Sequence, residues 1–315
     1  MMDARVKPAH DEIEIDRMRR RFVTLDVFTE KRFTGNPLAV VLESDGLEKS
    51  DMQAIAREFN LAETVFVMPP ADARHRAMLR IFTPATELPF AGHPTVGTAV
   101  LLGSMSGYNL GVHDLVLEET VGLVHCTVEP KGRDQGYASF VLPRLPEKLD
   151  GAPGADEAMA ALGLNEGDIG FGEPSAWSAG VPVNFIPVRD LEAIARAVPD
   201  EARFDAAFGK NGRSVAYLFC GETSDHAHHF HARMFAPKLG IREDPATGAA
   251  AAAFAGLVAE TTRPDDGTHR FVIEQGYEMS RPSQIELGMT IEGGTLTRAT
   301  IGGSAVIVSE GHIEA

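Results

Sequence analysis

The sequence predicts an α+β protein built from two similar lobes. Its 315 residues exceed the usual size of one compact unit, and two units of ~150 residues each are the natural division. Segments typical of strands alternate with segments typical of helices in both halves, and several short motifs occur twice. These observations together indicate a duplicated arrangement of strands, turns and helices.

Four motifs make up the internal repeat. The first copies lie at 35–37 (GNP), 54–57 (AIAR), 80–84 (RIFTP) and 93–99 (HPTVGTA), and the second copies lie at 180–182 (GVP), 193–196 (AIAR), 233–237 (RMFAP) and 244–250 (DPATGAA). One isolated match could be ordinary α+β sequence. A series of four matches in the same order predicts two lobes with related folds.

The last motif of each copy predicts the start of a buried helix. Proline favours the first helical position and disfavours the αR conformation of the residue before it, so His93 and Asp244 are each predicted at a helix N-cap. Apolar, Ala-rich sequence follows both. The small residues Gly97, Gly248 and Ala249 in the first turns would let a ligand or another backbone come close.

Two such helix starts could hold a substrate carboxylate between the lobes. Unpaired backbone N–H groups and the helix dipole attract anions, so no arginine would be needed. The alternative is that both helices are only well-capped core helices, since Asp is a common N-cap without any function. His93 is a poorer N-cap than Asp, Asn or Ser, so helix capping alone does not explain a histidine at this position.

Glu63 is the candidate general acid/base. It lies where the first helical AIAR segment gives way to an apolar strand, and burial among apolar neighbours would raise the pKa of its carboxyl group. The corresponding segment of the second lobe, 214–219 (SVAYLF), has no acid. A purely structural residue of the repeat would occur in both halves, although an edge glutamate that only faces water is the alternative.

Composition excludes several classes of protein. A net charge of −16 argues against nucleic-acid binding, and no apolar tract is long enough to cross a bilayer. The first twenty residues mix both charge signs and do not resemble a secretory signal, and Cys126 and Cys220 are the only cysteines, so we expect a cytoplasmic protein. The nucleotide motifs GxGxxG and GxxxxGK[ST] and the hydrolase motif GxSxG are missing, which favours chemistry without an organic cofactor.

The histidine-rich run at 225–231 (DHAHHFH) raises the question of a metal site. Arg233 would repel a cation, and neither zinc-type cysteine spacing nor HExxH accompanies the run. We expect a partly exposed edge strand there and no metal site.

Several ordered segments of the chain resemble the PhzF family of phenazine-biosynthesis-like proteins. These segments are GNPLAVVLE, NLAETVFV, FTPATELPFAGHPTVGTA, EDPATGAAAAAF and QGYEMSRPS. The resemblance runs from about residue 22 to about residue 310 and covers nearly the whole chain.

The resemblance implies the diaminopimelate-epimerase-like fold, with two similar lobes, each a curled mixed sheet around a central helix. It also implies a homodimeric isomerase without metal or organic cofactor, whose active site lies between the lobes. We therefore expect a flexible extension at 1–20, a first lobe at 21–137, to which 300–315 could return, and a second lobe at 138–299.

The resemblance also implies the site residues. The acid/base glutamate of the family corresponds to Glu63, its histidine to His93 and its aspartate to Asp244, and the substrate-binding positions correspond to Ala62, Gly92, Gly248 and Ala249. Related epimerases place a cysteine at each helix start, and this chain does not. The family often has Ser-Glu-Thr and Gly-Ser where this chain has Ala62 before Glu63 and Ala249 after Gly248, so two hydroxyl groups are missing.

Three functions stay open at this level. The first is an isomerase in which Glu63 moves a proton on a small carboxylate-bearing substrate. His93 and helix N–H groups would stabilise the developing negative charge, and Asp244 would orient a substrate amine or hydroxyl. The second is a binding protein with the same fold and no catalysis. The third is a two-base racemase that depends on Cys126 and Cys220.

Overall fold

Each half of the chain forms a curled sheet around one buried helix in a computed structural model, which describes residues 19–105, 111–212 and 214–315. Residues 1–18 of the predicted extension lie outside the described residues, and Arg19 and Arg20 already belong to the first strand. None of the described helices is both long enough and apolar enough to cross a membrane.

The first lobe contains eight strands and two helices, in addition to the end of the chain. The strands are β1 (Arg19–Val27), β2 (Asn36–Val41), β3 (Glu63–Met68), β4 (Ala77–Phe82), β5 (Glu87–Leu88), β6 (His113–Glu119), β7 (Gly122–Pro130) and β8 (Gln135–Val141), and the helices are α1 (Lys49–Phe59) and α2 (Gly92–Met105).

The second lobe contains the remaining strands and helices. The strands are β9 (Glu147–Leu149), β10 (Ser175–Ser178), β11 (Pro182–Pro187), β12 (Ala216–Cys220), β13 (Phe230–Ala236), β14 (Ile241–Asp244), β15 (Gly267–Gln275), β16 (Ser283–Glu292) and β17 (Thr295–Glu314), and the helices are α3 (Ala155–Leu162), α4 (Leu191–Arg196), α5 (Glu201–Phe208) and α6 (Gly248–Thr262).

The two lobes share one strand order. In the first, β1–β2 is antiparallel, β2–β3 parallel, β3–β4 antiparallel, β4–β6 parallel, and β6–β7 and β7–β8 are antiparallel. In the second, β10 to β13 and then β15 to β17 repeat these orientations pair by pair. The predicted fold class, α+β with two similar lobes of the diaminopimelate-epimerase-like fold, is confirmed.

Strand β17 belongs to the sheets of both lobes. It pairs antiparallel with β16, with β8 and, through its second half, with β1. The pairings β17–β1 and β8–β17 close the sheet of the first lobe around α2. The division into lobes at 21–137 and 138–299 stays a prediction.

The central helices are buried on all sides because their sequences are apolar on all sides. Every residue of α2 from Gly92 to Gly103 is buried, and α6 is buried from Ala250 to Val258. Both helices belong to one hydrophobic cluster that extends through both lobes, while α3, α4 and α5 pack on the outside of the second lobe in a separate cluster.

The predicted helix starts are wrong by a few residues. Helix α2 begins at Gly92, so His93 lies inside its first turn and is not the N-cap. Asp244 is the last residue of β14, opposite Met234 of β13, and α6 begins only at Gly248 with Thr247 as its N-cap. Sheet pairing and a hydrogen bond to the Asp244 carbonyl hold this residue in the strand, which overrides the local preference of an Asp-Pro pair.

Candidate active site

The starts of the two central helices meet where the lobes join. A Cβ atom placed on Gly92 would lie 2.9 Å from the Cα atom of Gly248 and 3.2 Å from the backbone nitrogen of Ala249. Only glycine allows this approach, since real Cβ atoms do not come so close to another backbone. The second residues of the two helices, His93 and Ala249, are thereby brought to the same region.

Glu63 and His93 form one contact of the site. Glu63 is the first residue of β3, where it is registered against Leu38 of β2, and its Oε2 atom lies 3.3 Å from Nε2 of His93. The side chains are 12% and 5% exposed, so both groups are largely removed from water. Desolvation lowers the pKa of His93 from 6.5 to about 3, and the imidazole is therefore neutral at physiological pH.

Asn36 connects this pair to Asp244. Its amide nitrogen donates to Oδ1 of Asp244 and to the carbonyl of Ala246, both at 2.9 Å, and lies 3.3 Å from Nδ1 of His93. An amide nitrogen cannot accept a hydrogen bond, so a proton on Nδ1 would have no acceptor in Asn36 Nδ2, and the tautomer with its proton on Nε2 is favoured. Asn36 therefore joins β2 of the first lobe to the segment between β14 and α6 of the second.

Asp244 is buried and held by three side chains. Besides Asn36, Thr247 donates its hydroxyl to Oδ2 at 2.5 Å, and Gln275 donates to the Asp244 carbonyl at 2.7 Å. Burial raises the pKa of the Asp244 carboxyl group to about 6, against the lowering effect of the hydrogen bonds from Thr247 and Asn36. Such a carboxyl group can accept or donate a hydrogen bond near neutral pH.

A cavity of about 390 Å³ opens over these residues between the lobes. Glu63, Asp244, Thr247 and Ala249 line its polar part, and Arg144 adds a cation. The rest of the wall is mainly apolar, contributed by both lobes, and includes Leu88, Pro89, Phe90, Ala91, Val121, Leu142, Val181, Val183, Val215, Met234, Leu239 and Ile241. A larger cavity of about 690 Å³ lies elsewhere, beside α6 of the second lobe, and does not include Glu63, His93 or Asp244.

The structure brings the residues identified from the sequence together, with differences in their positions. Glu63, Asp244 and Ala249 line the cavity; His93, Gly92 and Gly248 are buried against these lining residues. Ala62 directly precedes Glu63 and is not among the lining residues. Cys126 and Cys220 are buried in β7 and β12 and do not line the cavity.

Sequence reasoning missed Asn36. The signal was present, because the second copy of the GNP motif has Val181 at the corresponding place, and the same asymmetry had pointed to Glu63. Asn36 was not a candidate because an uncharged amide does not indicate acid/base chemistry.

The histidine-rich run has a structural role in place of the expected edge strand. His228 and His231 bind the two oxygens of buried Glu274 at 2.7 and 2.9 Å, and His231 also lies 3.0 Å from Glu278. Strand β13 pairs with β12, β14 and β15 and is not an edge. His75 and Glu118 make the same contact, at 2.7 Å, in the first lobe.

The paired curled sheets and the cavity at their joint define a two-lobed, epimerase-like protein. The family model of the phenazine biosynthesis-like proteins, PhzC–PhzF, matches residues 25–311. The chain belongs to this family and is an isomerase.

Named proteins of several organisms are similar along their whole length. An uncharacterized isomerase of Mesorhizobium japonicum is 48% identical over 93% of this chain and 98% of its own. The trans-2,3-dihydro-3-hydroxyanthranilate isomerase of Pseudomonas chlororaphis is 32% identical over 93% of this chain and 98% of its own. The crystal structure of a PhzF-family phenazine biosynthesis protein of Bacillus anthracis covers 94% of this chain and 99% of its own, with 26% identity and a TM-score of 0.84.

Proposed function

We propose that this isomerase moves a proton between two carbon atoms of a small carboxylate-bearing substrate by general acid/base catalysis in the cavity between the lobes. The observation that carries the proposal is the Glu63–His93 contact of 3.3 Å at the edge of a largely apolar cavity. Glu63 lines this cavity, so its carboxylate is placed to reach a bound molecule.

Glu63 is the group that carries the proton. As a carboxylate it removes a proton from an activated carbon, and as a carboxylic acid it returns that proton to a second carbon of the same molecule. The electron pair left by the first step moves through the conjugated system of the substrate to the second carbon. The overall change is an isomerisation, in which no atom is gained or lost.

His93 assists as a neutral polar group beside Glu63. With its pKa near 3 it does not become an imidazolium during turnover, and its Nε2–H group faces Glu63. At 3.3 Å, the dipole of a neutral imidazole stabilises negative charge on Glu63, and the imidazole does not take up the proton that Glu63 removes from the substrate. The low pKa of the imidazole keeps His93 in this role over the whole physiological range.

The helix starts and Asp244 would hold the substrate. Backbone N–H groups at the starts of α2 and α6 attract a carboxylate, and Ala249 of α6 lines the cavity. Asp244, with its pKa near 6, can accept a hydrogen bond from a substrate amine or hydroxyl. The relative from Pseudomonas chlororaphis is named for a substrate that carries a carboxylate together with an amine and a hydroxyl, and a cyclic amino or hydroxy acid of this class suits the present cavity.

Proton exchange with heavy water tests the proposal. The protein is incubated with a panel of cyclic and acyclic unsaturated amino and hydroxy acids, and each compound is followed by NMR. We expect deuterium to enter one compound class at carbon, together with movement of a double bond. Binding of panel members without any exchange would instead support a binding protein with the same fold.

A further inference from the structure

Glu119 is a buried carboxyl group that the proposed mechanism does not use. It is the last residue of β6 and is 8% exposed. Its Oε1 atom lies 2.7 Å from the hydroxyl of Thr95, which is in the first turn of α2 two residues after His93. Its other oxygen, Oε2, has no hydrogen-bond partner among the described residues, which is an unfavourable place for a negative charge.

The Thr95 hydroxyl shows which partner holds the proton. This hydroxyl lies 2.7 Å from the carbonyl of Ala91 as well as 2.7 Å from Glu119. A carbonyl can only accept a hydrogen bond, and a hydroxyl has a single proton to donate. Thr95 therefore donates to Ala91 and accepts from Glu119, which requires a protonated carboxyl group. Burial acts in the same direction and raises the pKa of Glu119 to about 8.

The second lobe has an amide at the corresponding place. In the first lobe, Leu117 of β6 is paired with the first residue of β4, and Glu119 lies two residues after Leu117. In the second lobe, Ile273 of β15 is paired with the first residue of β13, and Gln275 lies two residues after Ile273. Glu119 and Gln275 therefore occupy corresponding positions. Gln275 donates to the Thr247 hydroxyl at 3.0 Å, and Thr247 in turn donates to Asp244. A protonated carboxyl group and a carboxamide have nearly the same shape, and each offers both a donor and an acceptor.

We propose that Glu119 is a positioning residue of this enzyme, which must carry its proton to hold the start of α2, and with it His93, in the arrangement needed for turnover. The proposal rests on the proposed function of the cavity. On ionisation, the Thr95 hydroxyl would turn to donate to the Glu119 carboxylate, and the Ala91 carbonyl would keep only the longer bond of 3.2 Å from the Thr95 backbone N–H. Ala91 lines the cavity directly before Gly92 and His93, so the change reaches the site.

The route from Glu119 to the cavity also includes the backbone. The segment after Glu119 continues to Val121, whose backbone N–H donates to the carbonyl of Pro89 at 3.1 Å. Pro89, Ala91 and Val121 all line the cavity. A displacement of Glu119 would therefore move one wall of the site.

The charged groups around Glu119 have partners of their own. Arg80 of β4 is bound to Glu87 of β5 through two hydrogen bonds, of 2.7 and 3.0 Å. Glu118 accepts from His75 and from backbone groups of the β3–β4 connection. Among the other titratable groups on the surrounding elements, the Cys126 thiol of β7 has a pKa raised by burial and by Glu119, His93 of α2 is neutral, and Asp72 of the β3–β4 connection is bound to Arg74. His125 and Glu129, which are also on β7, are exposed.

Substitution of Glu119→Gln separates protonation from mere structural support, because glutamine reproduces the neutral form at every pH. We expect wild-type turnover to fall as the pH rises through about 8, while the E119Q variant keeps its turnover there. E119A should lose turnover at all pH values, and E129Q, which alters an exposed glutamate of the neighbouring strand β7, should follow the wild type. An alkaline fall that is the same in the wild type and in E119Q would overturn the proposal.

Unfolding measurements test the same claim without any substrate. The unfolded chain loses the Glu119 proton near pH 4.5 and the folded chain near pH 8, so rising pH favours unfolding of the wild type between these values. The unfolding equilibrium constant of the wild type relative to E119Q should increase by about tenfold per pH unit in this window and level off above it. If the ratio of the two unfolding constants does not change with pH, the proposal is wrong even if turnover is observed. A ratio that rises while no panel compound reacts supports the neutral Glu119 and counts against the proposed function alone.

Discussion

Gly92 and Gly248 face each other across the two lobes so closely that a Cβ atom on Gly92 would lie 2.9 Å from Gly248 Cα. The substitution Gly92→Ala must therefore push the two central helices apart. We expect a loss of about 1–3 kcal/mol of unfolding free energy, typical of overpacking, and a large loss of turnover because Glu63 and Ala249 would no longer share one cavity. Urea unfolding and a turnover assay measure both effects. The control is Gly221→Ala, at a glycine with no atom within 4 Å of an added Cβ; equal behaviour of the two variants would show that the approach of the helices is unimportant.

Replacing Asn36 should uncouple Asp244 from the first lobe. In Asn36→Ala the Asp244 carboxylate and the Ala246 carbonyl lose a buried donor, and each unsatisfied group costs roughly 1–3 kcal/mol. We expect lower stability and weaker substrate binding, measured by urea unfolding and by KM. Asn165→Ala, at an exposed asparagine of the second lobe, is the control. Unchanged stability and KM in Asn36→Ala would contradict the role of Asn36 as the connection between the lobes.

Burial of neutral His93 should make the folded protein less stable at acidic pH. Its pKa is about 3 in the folded chain and 6.5, the ordinary histidine value, in the unfolded chain, so below pH 6.5 only the unfolded state takes up the proton. The unfolding free energy should therefore fall by about 1.4 kcal/mol per pH unit as the pH drops from 6.5 toward 3. Thermal unfolding at several pH values measures this effect. The acid-induced fall in unfolding free energy should be absent in His93→Gln and present in His125→Gln, at an exposed histidine. The same pH dependence in wild type and His93→Gln would mean that His93 is protonated in the folded protein.

The two cysteines should be dispensable for turnover. Both thiols are buried outside the cavity, and burial raises the pKa of Cys220 to about 12, so neither is a ready thiolate. The double variant Cys126→Ala, Cys220→Ala should retain turnover within about twofold while losing some stability, since each change leaves a small void in the core. Abolished turnover in a variant that folds normally would favour the two-base racemase instead.

The duplicated fold could be predicted because its motifs lie at turns and helix starts, where local chemistry restricts the residues. The position of Asp244 could not, because its strand conformation depends on pairing with Met234 and on the bond from Gln275, which are distant in sequence. The role of Glu119 could not be predicted for the same reason, because it comes from a partner in α2. For Asn36 the asymmetry with Val181 was visible in the sequence, but its partner Asp244 in the second lobe was not. The dimer and the cytoplasmic location stay predictions.

The central claim is that Glu63 carries the proton, and the direct measurement is deuterium incorporation into the substrate with Glu63→Gln. Glutamine keeps the size of the side chain and removes its ability to take a proton from carbon. We predict a folded variant that still binds the substrate but shows no deuterium incorporation and no isomerisation, while Glu58→Gln, at an exposed glutamate of α1, behaves as wild type. Deuterium incorporation at the wild-type rate in Glu63→Gln would contradict the account.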